Sequence, residues 1–204
     1  MRVNFSEDEC EGCQISRGEN TEIKGRIISL DEYWVLNHYS SKQAFLGWLA
    51  LQPRNHRMEL TDLKREELIA LGIHIQNIEM GLRQYWSIHF KDDLLERVYV
   101  VYFFEGIFDK KNNEPDPCKF HLHFHLIPRP NSFDKTELLR EDEKEESKTT
   151  INAWNIYKLN QCEKYQEKLR SDYKLNFEEE SAESEQKVSA LMEFLMSYFA
   201  GRAR

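Results

Sequence analysis

Residues 120–129 of the chain read FHLHFHLIPR. His121, His123 and His125 occupy alternate positions with apolar residues between them. Side chains at alternate positions of an extended strand share one face. The pattern therefore predicts a strand with three imidazoles on one surface and an apolar face turned to a core. Pro128 lacks a backbone donor, so we expect it to end the strand.

Three explanations fit a row of imidazoles on one face of a strand. A single histidine in a strand is usually structural, but three opposite a clean apolar face make that explanation the least favoured here. Neutral imidazoles at this spacing can share a metal cation. They can also catalyse, because imidazole has the unperturbed pKa nearest neutrality and acts as nucleophile, base or acid. The residues alone leave metal binding and catalysis open.

The composition of the chain narrows the classes of function. At 204 residues with 40% hydrophobic residues, one domain plus an extension is expected. The net charge of −8 argues against a broad nucleic-acid-binding surface. No apolar run is long enough to cross a membrane, and the acidic start of the sequence is unlike a signal peptide. We therefore expect a cytoplasmic protein that does not bind membranes.

Patterns before the histidine stretch predict further strands and one long helix. Thr61 or Asp62 can cap this helix over about residues 62–89, and Glu66 and Glu67 place negative charge near its N-terminus. Its predicted buried face is Leu68, Leu71, Ile75, Ile78, Leu82 and Trp86, which recur at steps of three or four. Apolar runs predict strands at residues 26–28, 33–36, 47–51 and 98–104.

The composition changes after residue 130. Residues 137–150 are rich in charge and indicate a solvated linker. Apolar spacing predicts one helix over about residues 151–175 and a second in the last twenty residues. The stripe of this last helix is Val188, Leu191, Met192, Leu195, Met196 and Phe199. We expect the stripe to pack on the body of the protein or on a second subunit, rather than on a membrane.

Cys10 and Cys13 form a Cys-Glu-Gly-Cys pair near the start of the sequence. In a reducing compartment such a pair indicates half of a metal site or a redox pair, rather than a structural disulfide. On its own the pair does not distinguish these two possibilities.

The histidine stretch resembles the signature of the histidine triad (HIT) superfamily, His-φ-His-φ-His-φ-φ with φ apolar. Residues 121–127 fit it at every position, and the following Pro128-Arg129 is similar to the dinucleoside polyphosphate hydrolase and phosphorylase branch. Residues 47–56, GWLALQPRNH, are similar to the family's Gly-His-Leu-Leu-Val-Ile-Pro-x-x-His segment. The resemblance covers about residues 10–130. The predicted organisation is a HIT-like domain over residues 1–130, followed by an acidic linker and C-terminal helices over residues 131–204.

The resemblance implies an α+β fold with a mostly antiparallel sheet of about five strands and one long helix, often as a homodimer. It also implies a nucleotide hydrolase or nucleotidyltransferase acting on a nucleotide or dinucleoside polyphosphate. In this family His123 would attack an α-phosphorus and form a covalent nucleotidyl intermediate. The carbonyl of His121 would accept a hydrogen bond from one nitrogen of that ring. His125 would donate a hydrogen bond to the phosphate, whose negative charge grows in the transition state.

The nucleotide-binding residues are matched less completely than the histidines. The resemblance implies that Asn37 contacts the ribose hydroxyls and that Cys118 lies where some members carry a serine near the leaving group. Residues 103–106, FFEG, lack the asparagine that usually helps to hold the phosphates. Either Asn112 or Asn113 replaces it, or phosphate binding is weaker. The alternative function is therefore a catalytically weak nucleotide-binding protein that acts through a partner.

The resemblance gives the Cys-x-x-Cys pair a meaning. Many members of this group bind structural zinc through such a pair, the histidine of the Pro-x-x-His segment and the first triad histidine. The corresponding residues are Cys10, Cys13, His56 and His121. Two thiolates and two imidazoles form one of the usual ligand sets of tetrahedral zinc. The expected site would tie the start of the chain to the histidine stretch.

Overall fold

The structure, a computed structural model, describes residues 10–19, 26–39, 45–102, 120–134, 173, 175 and 182–202. The helices and strands over these residues, in chain order, are α1 Glu11–Arg17, β1 Ile27–Ser29, β2 Trp34–His38, β3 Leu49–Pro53, α2 Arg65–His89, β4 Leu95–Val101, β5 Phe124–Pro130 and α3 Ala182–Arg202. Two short 3-10 helices at Leu60–Asp62 and Asn131–Asp134 accompany them.

The five strands form one antiparallel sheet in the order β1-β2-β3-β5-β4. This confirms the predicted α+β class and the predicted five-stranded antiparallel sheet. The strands lie up to three residues from their predicted positions, and residues 103–104 lie outside the described part of the chain. One row of cross-strand partners joins Asn37, Ala50 and His125. Directly opposite residues share a face, so Asn37 and His125 project on the same side of the sheet.

The histidine strand differs from the prediction at both ends. It begins at Phe124, and residues 120–123 lead into it without strand pairing. It also continues through Pro128 to Pro130, so the expectation that Pro128 ends the strand is wrong. The recorded pairing with β3 stops at Leu126, whereas the pairing with β4 continues to Pro130. A proline is tolerated where one side of a strand has no ladder to complete.

Helix α2 lies over the sheet and starts later than the capping pattern predicted. Asp62 accepts hydrogen bonds from the amides of Met58 and Glu59, each at 3.0 Å, and so stabilises the 3-10 turn before α2. The helix begins at Arg65. Its buried apolar face contains Leu71, Ile78, Leu82, Tyr85 and Trp86. The placement of Leu68 on that face is wrong, because its side chain is 44% exposed.

Helix α3 packs on α2, one of the two outcomes expected for its apolar stripe. Its buried residues are Ser184, Val188, Leu191, Met192 and Leu195, whereas Met196 is exposed. The two helices approach closely at Gly81, where a Cβ would lie 2.8 Å from Leu195 Cδ2. The stripe thus joins the hydrophobic core over the sheet. The domain boundary at residue 130 stays a prediction.

The helix expected over residues 151–175 lies outside the described residues, apart from Tyr173 and Leu175, which are buried in the core. Within the parts of the chain that the structure describes, no helix is both long and apolar enough to cross a bilayer.

Candidate active site and metal centre

Four metal-ligating side chains from three separate segments meet beside the sheet. They are Cys10 and Cys13 at the start of α1, His56 in the loop after β3, and His121 just before β5. One ligand atom from each lies within 4.8 Å of the other three. The structure therefore brings together all four residues that the resemblance implied as zinc ligands.

The spacing of these atoms suits a tetrahedral metal. His121 Nδ1 lies 3.4 Å from Cys10 Sγ and 3.6 Å from Cys13 Sγ, and His56 Nδ1 lies 3.5 Å from Cys13 Sγ. Zinc bonds of about 2.3 Å to sulfur and about 2.0 Å to nitrogen at a tetrahedral angle separate the two ligand atoms by about 3.5 Å. The donor set and its spacing both fit a Cys₂His₂ zinc site.

The ring of His121 is oriented for this role by a backbone carbonyl. Its Nε2 donates to the carbonyl oxygen of Pro53 at 2.8 Å, which leaves the lone pair of a neutral ring on Nδ1, facing the thiols. Metal-bound histidines commonly have such a second hydrogen bond, which fixes the tautomer. Burial lowers the pKa of His121 to about 4, against the opposing effect of the Pro53 carbonyl. The ring is therefore neutral at pH 7, as a metal ligand must be.

Gly12, between the two cysteines, allows His121 to approach. A Cβ on Gly12 would lie 2.4 Å from Cγ of the His121 ring, far inside van der Waals contact. The carbonyl of Gly12 accepts a hydrogen bond from Gln52 Nε2 at 2.8 Å, which joins α1 to β3. Neither Gly12 nor Gln52 was predicted from the sequence to support the site. The glycine inside the Cys-x-x-Cys pair was the available signal.

A buried carboxylate holds the loop that carries His56. Glu67 accepts a bond from Arg57 Nη2 at 3.0 Å and another from the Lys64 amide at 2.7 Å. Burial acts to raise the pKa of Glu67, but the hydrogen bonds outweigh it, and the net shift is downward. The carbonyl of Arg57 accepts the Leu122 amide at 2.7 Å. This network ties the His56 loop to the segment that carries the triad.

A second cluster, the imidazole chain, consists of Trp48, His125, His123 and the carbonyl of His121. The indole Nε1 of Trp48 lies 3.0 Å from His125 Nδ1, and His125 Nε2 lies 3.1 Å from His123 Nε2. His123 Nδ1 lies 2.8 Å from the carbonyl oxygen of His121. His125 is buried and His123 is half-buried. The rings of His123 and His125 contact each other, while the His121 ring contacts the thiols.

Aromatic side chains surround His125. The ring of Tyr39 meets His125 edge-on with 4.9 Å between centroids, and it stacks on Trp48 at 5.2 Å. Burial is the main cause that lowers the pKa of His125 to about 3, and His123 adds to the effect. His125 is thus neutral at pH 7. Neither Trp48 nor Tyr39 was predicted from the sequence to support the site, although Trp48 stands where the family segment has a histidine.

The predicted nucleotide-binding residues are described only in part. Asn37 is buried, and its Nδ2 donates to the His38 carbonyl at 3.3 Å. Among the residues that the structure describes, none donates a hydrogen bond to Asn37 Oδ1. Only Ala50 separates Asn37 from His125 across the sheet. Cys118, Asn112 and Asn113 lie outside the described residues.

Comparisons with known proteins gave matches among solved structures only; no family model and no curated protein matches the chain. A Zn-bound histidine triad family protein from Mycobacterium smegmatis is 15% identical, covers 97% of this chain and 98% of its own, and has a TM-score of 0.47. A hypothetical histidine triad nucleotide-binding protein from Sulfolobus tokodaii is 11% identical, with coverages of 94% and 93% and a TM-score of 0.48. A member of the HIT family from Bacillus subtilis is 14% identical, with coverages of 79% and 98% and a TM-score of 0.42.

These three similar structures belong, by their descriptions, to the histidine triad family that the sequence resembles. The dinucleoside polyphosphate branch of the family stays a prediction.

Proposed function

We propose that the protein is a HIT-type nucleotide hydrolase or nucleotidyltransferase that works through a covalent nucleotidyl-His123 intermediate. One observation carries this proposal: Nδ1 of His123 is held by the carbonyl of His121 at 2.8 Å, so that Nε2 presents its lone pair beside His125. An imidazole with one nitrogen fixed in this way is an oriented nucleophile.

In the proposed reaction, Nε2 of His123 attacks the α-phosphorus of a nucleoside phosphate compound. A phosphorus–nitrogen bond forms while the phosphorus–oxygen bond to the leaving group breaks, and the leaving group departs with that electron pair. The His121 carbonyl stabilises the positive charge left on the ring. Water or another acceptor then attacks phosphorus, its proton passes to solvent, and the electrons of the phosphorus–nitrogen bond return to Nε2.

Two side chains that share one side of the sheet, His125 and Asn37, suit substrate binding. His125, next to the nucleophile, can turn its Nε2 to a phosphate oxygen, where negative charge grows in the transition state. Asn37 projects on the same side of the sheet, and its Oδ1, which accepts from no residue that the structure describes, would accept a hydrogen bond from a ribose hydroxyl. We assign it this role. A dinucleoside polyphosphate substrate and a homodimeric assembly are further parts of the proposal.

Zinc in the Cys10, Cys13, His56 and His121 cluster would be structural, since four protein ligands leave no open position for substrate. It would hold α1, the loop after β3 and the triad segment at one point. Its contribution to the reaction is to keep the backbone of His121, and hence its carbonyl, in place.

The test of the enzyme is direct trapping. The protein is incubated with a panel of adenine and guanine nucleotides, phosphoramidates and dinucleoside polyphosphates, and its intact mass is measured after rapid quenching. We expect a nucleoside monophosphate adduct in the wild type and in His89→Ala, a matched control with an exposed imidazole. His123→Ala should give no adduct.

Absence of both adduct and product with every substrate would refute the enzyme. Measurable AMP binding in that case would support the alternative, a weak nucleotide-binding protein that acts through a partner. Zinc is tested separately by metal analysis of protein purified without chelator. We expect about one zinc per chain, reduced in Cys10→Ser, and a wild-type value near zero would refute the metal site.

A further inference from the structure

The indole of Trp48 sets the donor direction at one end of the imidazole chain. An indole N–H can donate a hydrogen bond but cannot accept one. Its Nε1 lies 3.0 Å from His125 Nδ1, and both side chains are buried. Nδ1 of His125 must therefore carry the lone pair, and the single proton of the neutral ring must sit on Nε2.

The other end of the imidazole chain carries a group that can accept a hydrogen bond but cannot donate one. The carbonyl of His121 can only accept, so Nδ1 of His123 must carry its proton. The two Nε2 atoms, 3.1 Å apart, then form the remaining hydrogen bond, in which His125 donates and His123 accepts. A chain with a pure donor at one end and a pure acceptor at the other has one proton arrangement for two neutral rings.

We propose that Trp48 is a positioning residue that locks His125 in the Nε2–H tautomer, so that this nitrogen meets His123, and then a phosphate oxygen of the substrate, as a hydrogen-bond donor. The inference rests on the proposed function for its catalytic meaning. The histidine that the family segment carries at this position could donate, accept or take up a proton. Trp48 can only donate, so in this protein the order of donors and acceptors along the imidazole chain cannot reverse.

Packing supports the same role. The indole of Trp48 stacks on Tyr39 and meets Phe45 edge-on with 5.6 Å between centroids. The rings of Tyr39 and His125 in turn contact each other at a right angle. The rings that surround the hydrogen bond leave Trp48 only 1% exposed, which shields the donor from competing water. The bond is thus held in one geometry before substrate arrives.

The tautomer is read by long-range proton–nitrogen NMR on protein with labelled imidazoles at pH 7. We expect His125 in the wild type to be protonated on Nε2 alone. In Trp48→Phe, which keeps an aromatic ring but loses the donor, the two nitrogen shifts of His125 should move toward each other as the second tautomer becomes populated. Trp86→Phe is the matched control, since Trp86 is buried and its indole nitrogen has no partner among the described residues.

The effect on catalysis is measured as the single-turnover rate of formation of the nucleotidyl adduct. Trp48→Phe should slow it by about 10–100-fold, the usual effect of losing an orienting partner, while nucleotide affinity changes less than about threefold. Trp86→Phe should leave the rate unchanged. A wild-type His125 with its proton on Nδ1 overturns the proposal without any variant, and so does an unchanged adduct rate in Trp48→Phe. If no substrate gives an adduct, the proposed function fails, while the NMR result still decides the tautomer.

Discussion

Replacing Gly12 with alanine would place a methyl group where the ring of His121 now lies. The added Cβ would be 2.4 Å from Cγ, 2.5 Å from Cβ and 2.7 Å from Nδ1 of that residue. Ordinary contact begins near 3.4 Å, so the ring or α1 must move by about 1 Å. Metal–ligand distances in a well-formed site lie within about 0.2 Å of their usual values, so a displacement of about 1 Å breaks the coordination geometry. We therefore expect at least a tenfold loss of zinc affinity, which corresponds to about 1.4 kcal/mol.

The assay is competition for zinc with a chromogenic chelator, with thermal unfolding measured in parallel. The strain of overpacking should add a loss of about 1–3 kcal/mol in unfolding free energy. Gly72→Ala is the matched control: a Cβ there meets nothing within 4 Å, and alanine favours the helix. Zinc affinity in Gly12→Ala equal to that of the wild type would refute the account of this cluster.

Three further predictions concern stability and are checked by urea unfolding. Glu67→Gln should lower the free energy of unfolding by about 1–3 kcal/mol, since it leaves the Arg57 guanidinium without its charge partner. Folding lowers the pKa of Glu67 below 4.5, so its stabilisation is present above that value and is lost as pH falls through the folded pKa. The free energy of unfolding should therefore fall less steeply with decreasing pH in the variant. Burial lowers the pKa of His38 to about 3, so the unfolded chain takes up a proton first as pH falls below 6.5; stability should decline from there towards pH 3, and less steeply in His38→Gln. Alanine favours the helix at both Gly72 and Gly81, but at Gly81 its Cβ would crowd Leu195, so Gly81→Ala should be less stable than Gly72→Ala by about 1–3 kcal/mol. Equal stability of the two variants would contradict the close contact between α2 and α3.

Local patterns in the sequence predicted the elements whose residues repeat regularly. The spacing of Leu71, Ile78 and Leu82 gave α2, and the alternation around His123 gave β5, because each pattern reflects which face of an element is buried. Leu68 has the right spacing and is nevertheless exposed, since periodicity cannot show which turns of a helix are covered by the rest of the protein.

Contacts that depend on tertiary structure could not be predicted in this way. Pro128 lies inside β5 because the pairing with β3 stops earlier along the strand, and that depends on register between distant segments. Gly12 matters because His121 packs against it from over a hundred residues away. The link between Trp48 and His125 likewise joins the residue before β3 to β5, and only the geometry of the sheet brings the two rings within bonding distance.

His121 belongs to both clusters through different parts of one residue. Its imidazole faces the thiols, whereas its main-chain oxygen holds the ring of His123. Every amino acid has that oxygen, so replacing the side chain deletes the ligand and leaves the support of the nucleophile chemically intact. Loss of the metal would then change the reaction rate only by displacing the main chain at position 121. The two properties are mechanically coupled but chemically separable, and one could be altered over evolution while the other is kept.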